Sequence, residues 1–293
     1  MRPAALALLL GATLASAACA AVTVKDDLGN EVTLAQPARR IISLAPHVTE
    51  LLYAAGAGDK LVGASNFSDF PAAATRLPSV GSFATLDLER VLNLKPDLIV
   101  AWHSGNKPSQ LARLRGFGIP IYESQPADFG TIADSLEKLA RLAGSESVGT
   151  TAAQDFRARW QALQTRYGNR PEVSVFYQIW SQPLMTLNGR HMVSSVLKLC
   201  GGRNIFADLP QLAPTVTMEA VLTADPQVIL APGDATDQPL ERWRQFGRLQ
   251  AVRKNHLYQV NADWLNRAGP RILEAASEVC ERLDAARVPH QQR

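Results

Sequence analysis

Cysteine is scarce: the 293-residue chain holds only three, at Cys19, Cys200 and Cys280. That excludes a small fold stapled by many disulfides. The five histidines, His47, His103, His191, His256 and His290, stand singly, without the spacing of a metal site or the His-rich loop of a metal carrier. There is no nucleophile elbow, no phosphate-binding glycine loop ending in Lys-Ser/Thr, and no dinucleotide fingerprint after the first strand. The expectation is therefore a protein that is not an enzyme, with no catalytic residues, no cofactor and no metal of its own. Charge of one sign is lacking too: a net charge of +3 with no Lys/Arg run gives no footprint for nucleic acid. The one long apolar run, Ala4 to Leu14, is shorter than the ~20 residues a membrane helix needs. A hydrophobic content of 46% with 19% charged residues is ordinary for a globular chain that can bury a core in each of two domains.

That apolar run follows Arg2 and precedes the small-residue stretch ASAACAA, the pattern of a secretory signal peptide, with candidate cleavage sites after Ala17, Ala20 and Ala21. The expected location is outside the cytoplasm. Cys19 raises the alternative of a lipid anchor, for which Ser16 is a poor match to the usual aliphatic residue. Removing the signal leaves Cys200 and Cys280, an even pair in an oxidising compartment. They are either bridged, closing a loop worth roughly 4–5 kcal/mol at most by chain entropy, or two buried thiols.

What the chain does contain is a repeat. TLDLERVLNLKPDLIVAW at 85–102 and TVTMEAVLTADPQVILAP at 215–232 align with identities at Thr85/Thr215, Glu89/Glu219, Val91/Val221, Leu92/Leu222, Pro96/Pro226, Ile99/Ile229 and Ala101/Ala231. Each copy has a capping residue (Asp87, Thr217), a short amphipathic helix, a Pro turn and an apolar β-branched run, so each is a helix feeding a buried parallel strand. The caps place Glu89 and Glu219 in the exposed first turn, where the helix dipole favours an anion. So distant a repeat means two similar lobes rather than a solenoid.

Around the repeat, strands and helices alternate. After a small hairpin at Leu28-Gly29-Asn30 come strand 40–44, helix 48–55, strand 61–64, the loop SNFSDFP, the first repeat copy, helix 110–116, strand 119–123 and helix 132–143. Residues 145–168 carry Ser145 as cap and Val148, Ala152, Phe156, Leu163 and Tyr167 at helical spacing, a helix roughly 35 Å long. The second lobe then runs from strand 173–179 through helix 192–199, the second copy, strand 257–260 and the loop NADWLNRAGP to a closing helix from Arg271. The expected fold is α/β: two Rossmann-like lobes, each with a central, mainly parallel sheet, joined by one long helix. The expected division is 1–21 signal, 22–143 first lobe, 144–169 linking helix and 170–293 second lobe; a helical join predicts limited hinge motion.

Open α/β sheets bind ligands beyond the strand ends, and there the chain places Phe67, Phe70, Phe83, Trp102, Met185, Asp263, Trp264 and Arg267. Aromatic faces with a few polar groups suit a large, partly apolar small molecule. His47 and His103 also follow strands and could meet in space there; the plain expectation for them is solvated or capping imidazoles.

The runs RIISLAPHVTELLYAAG, NFSDFP, DLERVLNLKPDLIVAW, LKLCGGRNIF and DWLNRAGPRI resemble the cobalamin-binding periplasmic proteins that serve ABC importers, over essentially the whole mature chain. They sit within the helix-linked (class III) substrate-binding proteins, which also include haem and siderophore carriers. The resemblance implies a periplasmic monomer that binds cobalamin or a related corrinoid between the lobes. Ligand contacts would come from Phe67, Phe83, Trp102, Met185, Asp263, Trp264, Leu265, Asn266 and Arg267. It further implies that Glu89 and Glu219 meet arginines of the two permease subunits, and that Cys200 pairs with Cys280. Against the family pattern, Phe67 replaces Tyr, Phe83 replaces Trp, Met185 replaces Phe and Ala213 replaces Trp, so aromatic area is lost at several contacts.

Overall fold

A computed structural model describes residues 21–233 and 238–288. The expected signal segment up to residue 20, with Cys19, and His290 lie outside the described residues. The chain opens with an antiparallel hairpin, β1 (Val22–Lys25) and β2 (Glu31–Leu34), whose turn is closed by the Asp26 carboxylate accepting from the Leu28 and Asn30 amides. The first α/β unit follows: β3 (Ile41–Ser43), α1 (Pro46–Ala54), β4 (Leu61–Ala64), the short hairpin β5 (Gly81–Ser82) and β6 (Thr85–Leu86), α2 (Leu88–Asn93), β7 (Leu98–Trp102), α3 (Pro108–Gly116), β8 (Ile121–Ser124) and α4 (Phe129–Ala143). Its sheet is four-stranded and parallel, in the order β4-β3-β7-β8.

Next in the chain is the 22-residue α5 (Glu146–Tyr167). The second unit then runs through β9 (Val173–Tyr177), the hairpin β10 (Trp180–Ser181) and β11 (Leu184–Met185), α6 (Met192–Leu199), β12 (Gly202–Asn204), α7 (Met218–Ala224), β13 (Val228–Gly233), α8 (Gln250–Arg253), β14 (Leu257–Asn261), α9 (Ala262–Leu265) and α10 (Ile272–Arg287). Its parallel sheet has the order β12-β9-β13-β14. Counted within each unit, both orders read second, first, third, fourth. The repeat thus marks the third strand of each sheet, β7 and β13, and the helix that feeds it.

Alternation along these strands explains why they are apolar on both faces. Ile41, Leu98 and Val100 enter one core cluster while Ile42, Ile99 and Ala101 enter another; Val175 and Leu230 likewise oppose Phe176 and Ile229. The inner faces of the two sheets belong to one continuous cluster, which α5 joins through Ala153, Phe156 and Tyr167. α5 packs on α1, α4, α6 and α10, so elements of both units touch it.

Two expectations about α5 need correcting. Its inner stripe is Gly149, Ala153, Phe156 and Tyr167, while Val148 is 49% exposed, because α5 lies so close to α4 that a Cβ at Gly149 would meet Ala140 Cβ at 2.2 Å. Ser145 stands at the N-cap but makes no capping bond; its hydroxyl donates instead to the Ala55 carbonyl, 2.7 Å away, tying α5 to the end of α1. Asp87 and Thr217 do cap, accepting from the Arg90 and Ala220 amides. Cys200, at the end of α6, and Cys280, inside α10, form a buried disulfide with Cα atoms 4.7 Å apart.

Candidate functional site

In each parallel sheet the order in which strands are added reverses between the first and third strands, and the crevice beyond that point is where open α/β sheets hold ligands. Beyond β3 and β7 lie His47, Trp102 and the loop to Asn106. Trp102 packs against Phe83 with ring centroids 5.5 Å apart and receives the His47 edge at 5.6 Å. Asn106, buried and missed by sequence reasoning, fixes this group: its amide donates to the Leu44 and Phe83 carbonyls and accepts from the Trp102 amide at 2.7 Å. Only the Asn type, at a tight turn after a strand, hinted at it.

The loop 65–71 is held from beneath. The Ser65 amide donates to the Ser43 carbonyl, the Asn66 amide to Gly81, and the Thr49 hydroxyl to Ser68. Phe67 is held at φ 65 with its ring 71% exposed, a backbone costing about 1 kcal/mol or more for a non-glycine residue and a side chain left in water. Such an outlier invites a stacking partner. It borders an open pocket of about 410 Å³ with Ser68 and Asp69.

Beyond β9 the chain forms the β10–β11 hairpin, where Trp180 is 62% exposed and stands opposite Met185. Trp180 and Ile179, with Gly233 and Ala262, line an open pocket of about 830 Å³. Trp180 was not singled out from the sequence, since nothing local separates an exposed hairpin Trp from a buried one. Gln178 supports this wall: buried, it accepts from the Trp243 indole and donates to Ser181 and the Pro239 carbonyl.

Between the two walls, α9 and the residues after it cross to the first unit. Arg267 pairs with three carboxylates: Asp263 at 2.8 Å, and, on the first unit, Asp69 at 2.6 Å and Glu50 at 3.3 Å. Arg271 grips Glu50 with two bonds of 2.6 and 2.9 Å and lies 4.0 Å over the Phe70 ring. Glu50 is 2% exposed and sits 217 residues from Arg267, so no local pattern revealed it. The Arg267 hydrogen bond holds the Asp69 carboxyl below its usual range.

A small, partly open pocket of about 30 Å³ lies where the units meet. It is lined by His47, Trp102 and Gln125 on one side and His191, Leu265 and Asn266 on the other. Burial, helped by the Arg267 charge, pushes His47 down to about 4, and its Nε2 has no partner; burial alone pushes His191 to about 4. His47 is thus neither solvated nor a helix cap. His103 is half exposed and turns to Glu123, its Nδ1 2.7 Å from the carboxylate.

Of the expected ligand residues, then, Phe83 and Trp102 touch, Asp263 and Arg267 pair, and Leu265, Asn266 and Trp102 share the small cavity. Asn266 accepts from the Tyr177 hydroxyl at 2.6 Å, and Trp264 is half-buried against the core. Met185 is half-buried and pairs with Trp180 in the β10–β11 hairpin, and Phe67 borders a separate pocket. Glu89 and Glu219 are both exposed at the second position of their capped helices. Among the described residues no cluster of three or more His, Cys, Asp or Glu can hold a metal ion, and no helix is long and apolar enough to cross a membrane.

Comparison with known proteins gives a consistent picture. Residues 41–263 match the periplasmic binding protein family model. A vitamin B12-binding protein of Vibrio cholerae is 46% identical over 251 residues, 85% of this chain and 91% of that protein. Its counterpart in Yersinia pestis is 42% identical over 87% of this chain and 90% of its own length. The crystal structure of the periplasmic vitamin B12 binding protein BtuF of Vibrio cholerae superposes with a TM-score of 0.80 at 45% identity, covering 87% of this chain and 99% of that one. The haem-binding protein HutB of the same organism reaches 0.71 at 20% identity, over 83% and 98% of the chains, a likeness of fold alone.

Proposed function

Because the chain belongs to the periplasmic binding protein family, we propose that it captures cobalamin or a related corrinoid between its lobes and hands it to the permease of an ABC importer, catalysing nothing itself. The observation that carries this reading is the 45% identity with a TM-score of 0.80 to a vitamin B12 binding protein along almost its full length. The haem-binding relatives of the same fold stand much further away, which sets haem or a ferric siderophore behind a corrinoid.

In this reading the lobes are residues 22–143 and 170–293, with 144–169 linking them, and the protein works in the periplasm as a monomer. The corrin ring lies across the open mouth of the cleft, between the Phe67, Phe83 and Trp102 side and the Met185 and Trp180 side. Aromatic faces bury its apolar surface, and the segment Asp263, Trp264, Leu265, Asn266 and Arg267 faces its amide side chains. Arg267, already shared by three carboxylates, serves chiefly to hold Asp263 and Asp69 in place. Glu89 and Glu219, matched by the repeat, present two like charges to a symmetric permease and set orientation and association rate rather than ligand affinity.

Calorimetric titration with cyanocobalamin, haemin serving as control, tests the reading. One-to-one binding of cyanocobalamin, weakened by Trp102→Ala and Asp263→Ala, is expected. Binding of haemin with no response to cyanocobalamin refutes it.

A further inference from the structure

The repeat that carries Glu89 and Glu219 does not end with its strands. After β7 the chain reads LARLRGFG at 111–118, and after β13 it reads LERWRQFG at 240–247. Identical residues stand at Leu111/Leu240, Arg113/Arg242, Arg115/Arg244, Phe117/Phe246 and Gly118/Gly247. The folded chain treats the two copies alike. Leu111, Leu114, Leu240 and Trp243 are buried, and the Phe117 and Phe246 amides donate to the Leu114 and Trp243 carbonyls at 3.1 and 2.9 Å. Leu111 and Leu114 share a core cluster with Val91 of α2, as Leu240 and Trp243 do with Val221 of α7. Each motif therefore lies in the same layer as the helix that holds a matched glutamate, on the sheet face turned away from α5.

What the motif leaves outside is basic and aromatic. Arg113, Arg115 and Arg244 are exposed, Phe117 is 57% exposed, and the exposed Arg248 follows the second copy. Arg115 and Arg244 already pair with Glu123 and Glu241, whereas Arg113 and Arg248 meet no carboxylate among the described residues. In the second unit the motif also bounds an open pocket of about 560 Å³, between Leu222 and Asp225 of α7 and Phe246, Arg248 and Leu249. Leu222 stands three residues after Glu219, a spacing that puts both on one helix face, so the pocket opens within a turn of that carboxylate. None of these residues is among those proposed to line the cleft.

We infer that these two basic and aromatic edges extend the surface that meets the permease dimer, and that a permease loop seats an apolar side chain in the pocket beside α7 with a carboxylate against Arg248. The inference rests on the importer reading above. Packing alone asks for the buried Leu111 and Leu114, Leu240 and Trp243; it does not ask for an outward Arg and Phe twice. A two-fold symmetric partner does, since each of its halves meets one lobe. Arg113 and Arg248 carry the charge opposite to Glu89 and Glu219, so each lobe offers both signs, which sets register as well as attraction. Aromatic residues and Arg are the types enriched where proteins meet. Lipid headgroups would answer the charges, but only a protein loop answers the pocket.

The test measures, by surface plasmon resonance, docking of the full-length mature protein onto the permease and ATPase complex of the cobalamin importer in phosphatidylcholine nanodiscs. Gly247→Trp plugs the pocket without strain, since a Cβ there meets nothing within 4 Å. It should weaken docking about tenfold or more, as losing an interface anchor does. Arg113→Glu with Arg248→Glu should slow association about tenfold and change its salt dependence. Both proteins should bind cyanocobalamin as wild type does, and thermal unfolding checks that the fold is intact. Unchanged docking in either overturns the inference; if Glu89→Ala with Glu219→Ala still loses docking, the importer reading stands. Wild-type binding to protein-free phosphatidylglycerol nanodiscs, lost on charge reversal while permease docking holds, assigns the edges to lipid and overturns it too. Wild-type protein that does not dock at all takes both readings down.

Discussion

Glu50 is the residue on which the contact between the lobes turns. Its carboxylate, 2% exposed, is shared by Arg267 and Arg271, and among the described residues no other carboxylate pairs with Arg271. Glu50→Gln keeps the shape and one acceptor oxygen but removes the charge. Arg267 keeps Asp69 and Asp263, whereas Arg271, only 18% exposed, is left with the Phe70 ring. Breaking one side of a buried pair costs about 3–5 kcal/mol, and the acceptor oxygen that Gln keeps puts Glu50→Gln at the low end; the Phe70 contact is present before and after and leaves the balance unchanged. The expected loss is about 3 kcal/mol, or about 6–12 °C in Tm for a chain of this size. Asp69→Asn is the internal control: that carboxylate is 52% exposed and solvent-screened, so its loss should cost less than about 1 kcal/mol. Urea unfolding followed by tryptophan fluorescence and far-UV circular dichroism measures both. Equal losses for the two variants, or a Glu50→Gln protein as stable as wild type, refute the view that the buried pair, rather than the exposed one, joins the lobes.

The other expectations are more direct. His47 and His191 both titrate near 4 in the folded chain against 6.5 in the unfolded one. The unfolded state therefore binds more protons between these values, so stability is complete above about pH 6.5 and falls toward pH 4, by up to about 3 kcal/mol per histidine. His47→Gln should flatten that dependence, and an unchanged pH profile of urea midpoints rejects it. Replacing Cys200 and Cys280 with serine opens a loop of sequence separation 80, with an expected loss of about 3–5 kcal/mol by denaturation under non-reducing conditions. Phe67→Ala should weaken cyanocobalamin binding by about tenfold, the loss of one stacked ring, while leaving Tm unchanged because that ring touches water rather than core. Glu89→Ala with Glu219→Ala should abolish vesicle uptake while calorimetric affinity holds; unimpaired uptake ends the docking role.

What could be read from the sequence follows from the range of the interactions that produce it. The capped helices at Asp87 and Thr217 and the strands β7 and β13 were legible because caps, Pro turns and apolar runs act within a few residues. The parallel α/β plan followed from their alternation. The α5 stripe was misjudged by one position, since a helix pressed on α4 through Gly149 hides its small residues and leaves Val148 at the edge. Glu50, Asn106 and the exposure of Trp180 were not legible at all: the first two act on partners far along the chain or through backbone atoms, and the third depends on which side of a hairpin faces water. The same contrast separates the two kinds of site. In the proposed docking role, matching carboxylates at Glu89 and Glu219 recur because a two-fold symmetric partner would require the same group twice. A corrinoid has no such symmetry, and the residues proposed to wall it, Phe67, Phe83 and Trp102 on one side and Met185 and Trp180 on the other, show no repeat to read. The proposed docking surface is therefore written in the sequence as a duplication, while the proposed cleft emerges only from the folded chain.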